Sequence, residues 1–85
     1  MHYTLINSTY KNSSELKEIV HEKLTRQEIK ILKSAILDYS NKQIASQLGI
    51  SESTVKVHKR SICKKFGIVG QVAFRKFLRW IDKYL

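Results

Sequence analysis

The sequence contains no proline and only three glycines, Gly49, Gly67 and Gly70. Proline and glycine most often interrupt helices, so helices in this chain can run unbroken between these three positions. Apolar residues recur at three- and four-residue spacing along most of the chain, and no pair of alternating segments typical of paired strands is present. The sequence therefore predicts an all-α fold, a bundle of four to five short helices.

Polar residues that can cap a helix precede the predicted helices. In a capping box the first and fourth residues each accept a hydrogen bond from the backbone N–H of the other. Helices are predicted to start near residues 14, 25, 40, 51 and 70, and two of the glycines suit the left-handed C-cap. The capping candidates are Thr25 with Glu28, Ser40 with Gln43, and Ser51.

The length of 85 residues suits one small domain with a marginal core. We divide it into an N-terminal arm (residues 2–6) and lead helix within residues 1–23, and a main helical domain at 24–85. Cys63 is the only cysteine, which excludes an internal disulfide and indicates a cytoplasmic protein. No apolar run approaches the 18 residues of a membrane span, and the N-terminus lacks the pattern of a secretory signal.

The net charge of +9 is concentrated in one part of the chain. Three lysines balance three glutamates in residues 1–24, whereas residues 25–85 hold thirteen basic and four acidic side chains. Such a field attracts polyanions, of which nucleic acid is the first candidate. An acidic membrane surface and a merely solvated basic face are the alternatives that composition leaves open.

Residues 40–66 have the pattern of a helix-turn-helix, in which a short helix and a Gly-Ile turn precede a longer, second helix. At about 100° per residue, Val55, Ile62 and Phe66 fall within about 20° of one line and predict the buried stripe. The opposite side, the outer face, carries hydroxyl, cationic and small apolar side chains and no acid. The outer face consists of Ser53, Lys56, Val57, Arg60 and Lys64.

The outer face has the chemistry to contact DNA in the major groove. Lysine and arginine can donate to guanine, and valine can contact a thymine methyl group, so base contacts are predicted for Lys56, Val57 and Arg60. The C-terminal half of the helix, with Lys64 and Lys65, is predicted to turn toward phosphate. His58 falls at the edge of the face, where a phosphate contact and a partly buried structural role are both open.

The combined motif resembles the LuxR/NarL-type (GerE-like) DNA-binding domain over about residues 24–75. The residues that carry the resemblance are Leu24-Thr25, Glu28, Ile31-Leu32, Ser40-Asn41-Lys42, Ile44-Ala45, Leu48, Ile50-Ser51, Thr54-Val55-Lys56-Val57-His58, Ile62, Lys65 and Gly67. The resemblance implies a four-helix domain that binds operator DNA as a dimer and regulates transcription. It implies base contacts for Lys56, Val57 and Arg60. It also implies contacts to the DNA backbone for Asn41, Lys42, Ser51, Thr54, His58 and Lys64, and we add Ser53 to this group.

The chain departs from the family pattern at several positions. Members usually have arginine at Gln27, an acid at Lys30, glycine at Asp38, glutamate at Gln43 and arginine at Gln71. The similarity weakens after Gly67, which affects the last helix and any inherited dimer geometry but not the second helix of the motif.

The last helix is apolar around a wide arc, and it is the predicted homodimer contact. The alternative is that the lead helix, with Leu16, Ile19 and Val20, covers this surface within one chain. The residues assigned to the dimer interface are Phe77, Trp80, Ile81 and Tyr84.

No carboxylate pair, nucleophile with a base, phosphate loop or metal-ligand spacing points to an enzyme, a metal site or a cofactor. The competing interpretations are a sigma-factor-type promoter-reading domain and a helical adaptor that binds protein but not DNA. RNA polymerase is a further candidate partner. The sequence does not decide between a stand-alone regulator and the output domain of a larger one, nor does it give the operator or the sign of regulation.

Overall fold

The computed structural model describes residues 13–85, which form five α-helices and one terminal 3₁₀ turn. The prediction of an all-α fold is confirmed, whereas the predicted arm at residues 2–6 lies outside the described residues. The elements are α1 (Ser13–Lys23), α2 (Arg26–Ile36), α3 (Asn41–Leu48), α4 (Glu52–Phe66), α5 (Gln71–Ile81) and the turn Asp82–Tyr84.

The predicted caps start and end the helices. Thr25 Oγ1 accepts from the Glu28 N–H at 3.1 Å, while Glu28 Oε1 accepts from the Thr25 N–H at 2.8 Å. The pair at the start of α3 repeats this reciprocal bonding, and Ser51 caps α4. Gly49 and Gly67 end α3 and α4 with a φ of 66°, a left-handed conformation that costs glycine little. These boundaries depend on bonds between residues a few positions apart, which is why the sequence predicts them.

The turn after α2 contains the one non-glycine residue with positive φ among those described, Asp38 at 67°. At this position the LuxR/NarL-type pattern that the sequence resembles usually has glycine. Aspartate visits the left-handed region more readily than most side chains do, so it can take the place of glycine here. The turn reverses the chain between α2 and the helix-turn-helix.

Two clusters of buried side chains form the core. The smaller one joins α2, α3 and the N-terminal half of α4. The larger one joins α1, α2, the C-terminal half of α4, α5 and the terminal turn. Because α4 contributes to both clusters, its position relative to every other helix is fixed by packing at its two halves. The boundary between residues 23 and 24 that we drew from sequence stays a prediction, and α1 shares the larger cluster with the rest of the domain.

The last helix faces inward more than its sequence suggests. Phe77 and Ile81 are 0% exposed and Tyr84 is 9% exposed within the single chain, and Trp80 is half-buried. The prediction that these side chains form an open dimer face is therefore wrong for the three buried ones. Leu16 and Val20 of α1 pack in the same cluster, which is the alternative that the sequence left open.

Candidate nucleic-acid interface

Helix α4 is held in the domain by the three residues of the predicted stripe. Val55, Ile62 and Phe66 are all 0% exposed. Val55 packs in the smaller cluster with α2 and α3, and the other two pack in the larger one. The stripe is confirmed, and the opposite side of the helix is left at the protein surface.

The outer face of α4 is open along its whole length. All five of its side chains are exposed. They include the apolar side chain of Val57, which is 56% exposed. The helix has 15 residues and is about 22 Å long, which exceeds the roughly 12 Å width of the major groove. The structure thus brings the three predicted base-contact residues, Lys56, Val57 and Arg60, onto one accessible surface.

A group of hydroxyls surrounds the N-terminus of α4. Ser51 Oγ lies 3.1 Å from Ser53 Oγ and 2.8 Å from Thr54 Oγ1, and it accepts from the Thr54 N–H at 3.1 Å. Lys42 is exposed on the first turn of α3. Hydroxyls and backbone N–H groups at a helix start, and an exposed lysine on the preceding helix, are groups that suit DNA phosphates.

Two of the predicted backbone contacts are less open than the sequence implied. Asn41 is half-buried, and its side-chain oxygen accepts a hydrogen bond from Lys59 Nζ. His58 is also half-buried. Sequence reasoning did not single out Lys59, although its position about 40° from Val55 on the helical wheel indicated a place beside the buried stripe. Burial lowers the pKa of Lys59, and the neighbouring Cys63 partly offsets this.

Lys65 does not turn toward phosphate as predicted. Its Nζ donates to Glu28 Oε1 at 2.6 Å and forms an ion pair with a carboxylate that is only 3% exposed. The pair joins the C-terminal half of α4 to the first turn of α2. Lys64, the neighbour of Lys65, is exposed and keeps the predicted orientation on the outer face. The sequence suggested only the capping role of Glu28, because its partner lies 37 positions away.

The ion pair sets the ionisation of Glu28. Burial by itself raises the pKa of the carboxyl group, but hydrogen bonds from Lys65, the Thr25 backbone and Ser61 outweigh it. The positive charge of Lys65 acts in the same direction, so the pKa of Glu28 lies below its ordinary value of 4.5. Because the pKa of Glu28 is lower in the folded than in the unfolded chain, its ionised form stabilises the fold. This stabilisation is complete at pH values above the ordinary pKa and is lost as the pH falls through the lowered pKa of the folded state.

We predict that Glu28→Gln lowers the free energy of unfolding by about 1–2 kcal/mol at pH 7, because glutamine keeps the capping geometry but loses the charge-assisted bond. The difference from the wild-type protein shrinks as pH falls below 4.5 and vanishes below the lowered pKa, where both side chains are neutral. Urea denaturation followed by circular dichroism from pH 7 to pH 2.5 measures this. Glu22→Gln, at an exposed position of α1, is the matched control. A gap between Glu28→Gln and wild type that stayed constant with pH would contradict the argument.

Comparison with known proteins assigns the domain. Residues 22–75 match the family described as bacterial regulatory proteins, luxR family, and this is more than half of the chain. The chain belongs to the LuxR family. The resemblance stated from the sequence is thereby confirmed, and the match favours this family over a sigma-factor-type domain. Helix α1 lies almost entirely before the matched residues.

Several relatives of the LuxR-family chain are response regulators. It is 47% identical over 55 residues to the response regulator protein TodT of Pseudomonas putida, covering 65% of this chain and 24% of that protein. It is 48% identical over 50 residues to the nitrate/nitrite response regulator protein NarP of Escherichia coli (59% and 23%). It is 39% identical over 70 residues to the transcriptional regulatory protein DegU of Brevibacillus brevis (75% and 30%). The chain thus spans only about a quarter of the length of these relatives. No solved structure matches it.

The LuxR-family chain thus carries a DNA-binding domain of the helix-turn-helix type. Across residues 13–85, no helix is long and apolar enough to cross a membrane. The same stretch holds no group of three or more side chains arranged to bind a metal ion.

Proposed function

We propose that the chain is a sequence-specific transcription regulator that inserts α4 into the major groove. The observation that supports this most is the division of α4 into a fully buried stripe and an exposed cationic face. Lys56, Val57 and Arg60 contact base edges. Backbone contacts come from residues around the start of α3 and along α4, namely Asn41, Lys42, Ser51, Ser53, Thr54, His58 and Lys64.

The test begins with selection of bound duplexes from a random DNA pool. We expect one enriched motif and, on that motif, a log–log dependence of affinity on salt with a slope of roughly −5 to −9, as contacts to six to ten phosphates require. Enrichment of no motif, with salt-dependent binding retained, would contradict sequence specificity. Absence of DNA binding would support a helical adaptor instead.

We further propose that the protein binds DNA as a homodimer. The buried residues of α5 cannot carry the contact, so the support shifts to Val69 and Val72, which are 88% and 69% exposed around the start of α5. Exposed apolar side chains are typical of interfaces, and these two are three positions apart in the sequence. If two chains pair there by two-fold symmetry, we expect the two copies of α4 to enter successive major grooves, which lie about 34 Å apart, and the DNA site to be an imperfect palindrome.

We predict that Val72→Glu abolishes pairing on DNA, because a charge would be buried against its symmetry mate. Sedimentation with the selected duplex should show two wild-type chains per duplex and one chain of the variant. Lys76→Gln changes the charge by the same amount on the same helix and should still pair. One wild-type chain per duplex, or two chains of Val72→Glu, would overturn the proposed interface.

We propose a binding function rather than an enzymatic one, without a cofactor, and a cytoplasmic location in which DNA is accessible. RNA polymerase is a candidate second partner because regulators of transcription act on its recruitment.

A further inference from the structure

A groove of about 490 Å³ lies beside the outer face, between the α2–α3 turn, α4 and α5. We call it the side groove. Two neighbouring pairs face it from opposite walls, Lys59 with Arg60 on α4 and Phe74 with Arg75 on α5. Arg60 also belongs to the outer face, so the groove continues the surface proposed to bind DNA.

The charge around the side groove is strongly unbalanced. Three cations line it, Lys59, Arg60 and Arg75, whereas Asp38 is the single acid among its lining residues. A second groove along α5 shares Arg75 and Asp38 and adds Arg79 and Asp82, so its two cations are balanced by two acids. The unbalanced positive charge is confined to the side groove, which reaches α5 through Arg75.

The side chain of Lys59 is fixed in the wall of the side groove. Its ammonium donates to Asn41 and lies 5.8 Å from the centroid of the Phe74 ring, a distance suitable for a cation–π contact. Neither partner carries a negative charge, so its charge is not neutralised there. A half-buried cation held between neutral groups produces a fixed positive potential in the groove and cannot swing out to solvent freely.

From this arrangement we infer that the side groove holds a backbone phosphate of the DNA strand bordering the major groove, with Arg75 as its main ligand. The inference rests on the proposed DNA-binding function and adds α5 to the interface. DNA phosphate is the occupant because the groove adjoins the outer face through Arg60 and because successive phosphates match cations spaced along a surface. Arginine suits the role, since its planar group can donate two hydrogen bonds to one phosphate.

The first experiment compares Arg75→Gln with Lys76→Gln. Both remove one charge from exposed residues of α5, but only Arg75 lines the side groove. Arg75→Gln should reduce the salt slope by about 0.9 and weaken binding roughly 5–10-fold near 0.1 M salt, to all sequences alike. Lys76→Gln should stay close to wild type. Equal slopes for the two variants would overturn the inference while leaving the proposed function in place. No salt-dependent binding by the wild type would overturn both.

A second variant changes affinity in the opposite direction. Asp38→Asn removes the acid of the side groove and keeps a side chain that tolerates the φ of 67°. It should strengthen DNA binding several-fold, whereas Glu22→Gln on α1 makes the same charge change far along the chain and should have less effect. If Asp38→Asn and Glu22→Gln change the affinity for DNA equally, the effect comes from net charge alone, and this would contradict a phosphate site in the side groove.

Neutral methylphosphonate substitutions, made one at a time along the selected duplex, locate the phosphate. One position should weaken wild-type binding and have no effect on Arg75→Gln. Absence of any such position would contradict the assignment. A second experiment tests whether the groove binds a free phosphate ion instead: the DNA-free protein is titrated with inorganic phosphate and the chemical shifts are monitored by NMR. Saturable shifts around the side groove, with no methylphosphonate effect, would show that a free small anion and not DNA is the occupant.

Discussion

Replacing Phe77 by alanine is expected to lower the free energy of unfolding by about 3–5 kcal/mol, the usual range for deleting a buried aromatic ring. The Phe77 ring is 0% exposed and lies 4.9 Å, centroid to centroid, from that of Phe66. It also lies 6.0 Å from the ring of Trp80. Small domains have little stability to spare, so a loss of this size leaves a considerable fraction of the chains unfolded.

Urea denaturation at two protein concentrations tests this prediction and its origin. If Phe77 belongs to the core of one chain, the midpoint of Phe77→Ala falls equally at both concentrations, because unfolding is unimolecular. A loss that appears only at the higher concentration would place the ring in a dimer interface, as the sequence first suggested. Lys76→Ala, on the adjacent exposed position, should change stability by less than about 0.5 kcal/mol.

The second large effect is expected at the outer face of α4. Lys56→Ala and Arg60→Ala should each cost about 1–3 kcal/mol in binding to the selected site, a reduction of roughly 5- to 150-fold. A lost contact to a base edge removes discrimination together with affinity. The selected motif should therefore become degenerate at the contacted positions, which distinguishes these variants from a loss of phosphate contact.

Fluorescence anisotropy with the selected duplex and with single-base variants measures both effects. Lys30→Ala is the control, because it removes one exposed cation from α2 and should change affinity little and specificity not at all. Circular dichroism checks that each variant is folded. Normal discrimination by both Lys56→Ala and Arg60→Ala would show that α4 does not contact the bases through this face.

The helix boundaries were predictable because they are determined locally. A capping box joins residues three positions apart. Gly49 and Gly67 adopt the left-handed backbone conformation, which is energetically costly for most other residues. The stripe of Val55, Ile62 and Phe66 followed from helical geometry alone. The outer face followed from the same geometry together with its composition, since cationic and hydroxyl side chains opposite a buried stripe favour the surface.

The partners of charged residues were not predictable from spacing. Lys64 and Lys65 are adjacent and identical, yet one is exposed on the outer face and the other pairs with Glu28 of α2. Lys59 lies on the same helix and points into the side groove toward Asn41 and Phe74. A lysine side chain is long and flexible enough to reach a partner on a neighbouring helix, and the sequence spacing does not show which helix that is.

The last helix shows the same division. Its sequence established that it is apolar around a wide arc, and no property of the segment itself distinguishes a surface covered by α1 from one covered by a second chain. The helices, their ends and the chemistry of the outer face follow from the sequence, because they depend on local spacing along the chain. The burial of Phe77, the pairing of Lys65 and the side groove were decided only by the tertiary structure, because each depends on which distant helix occupies the adjacent space.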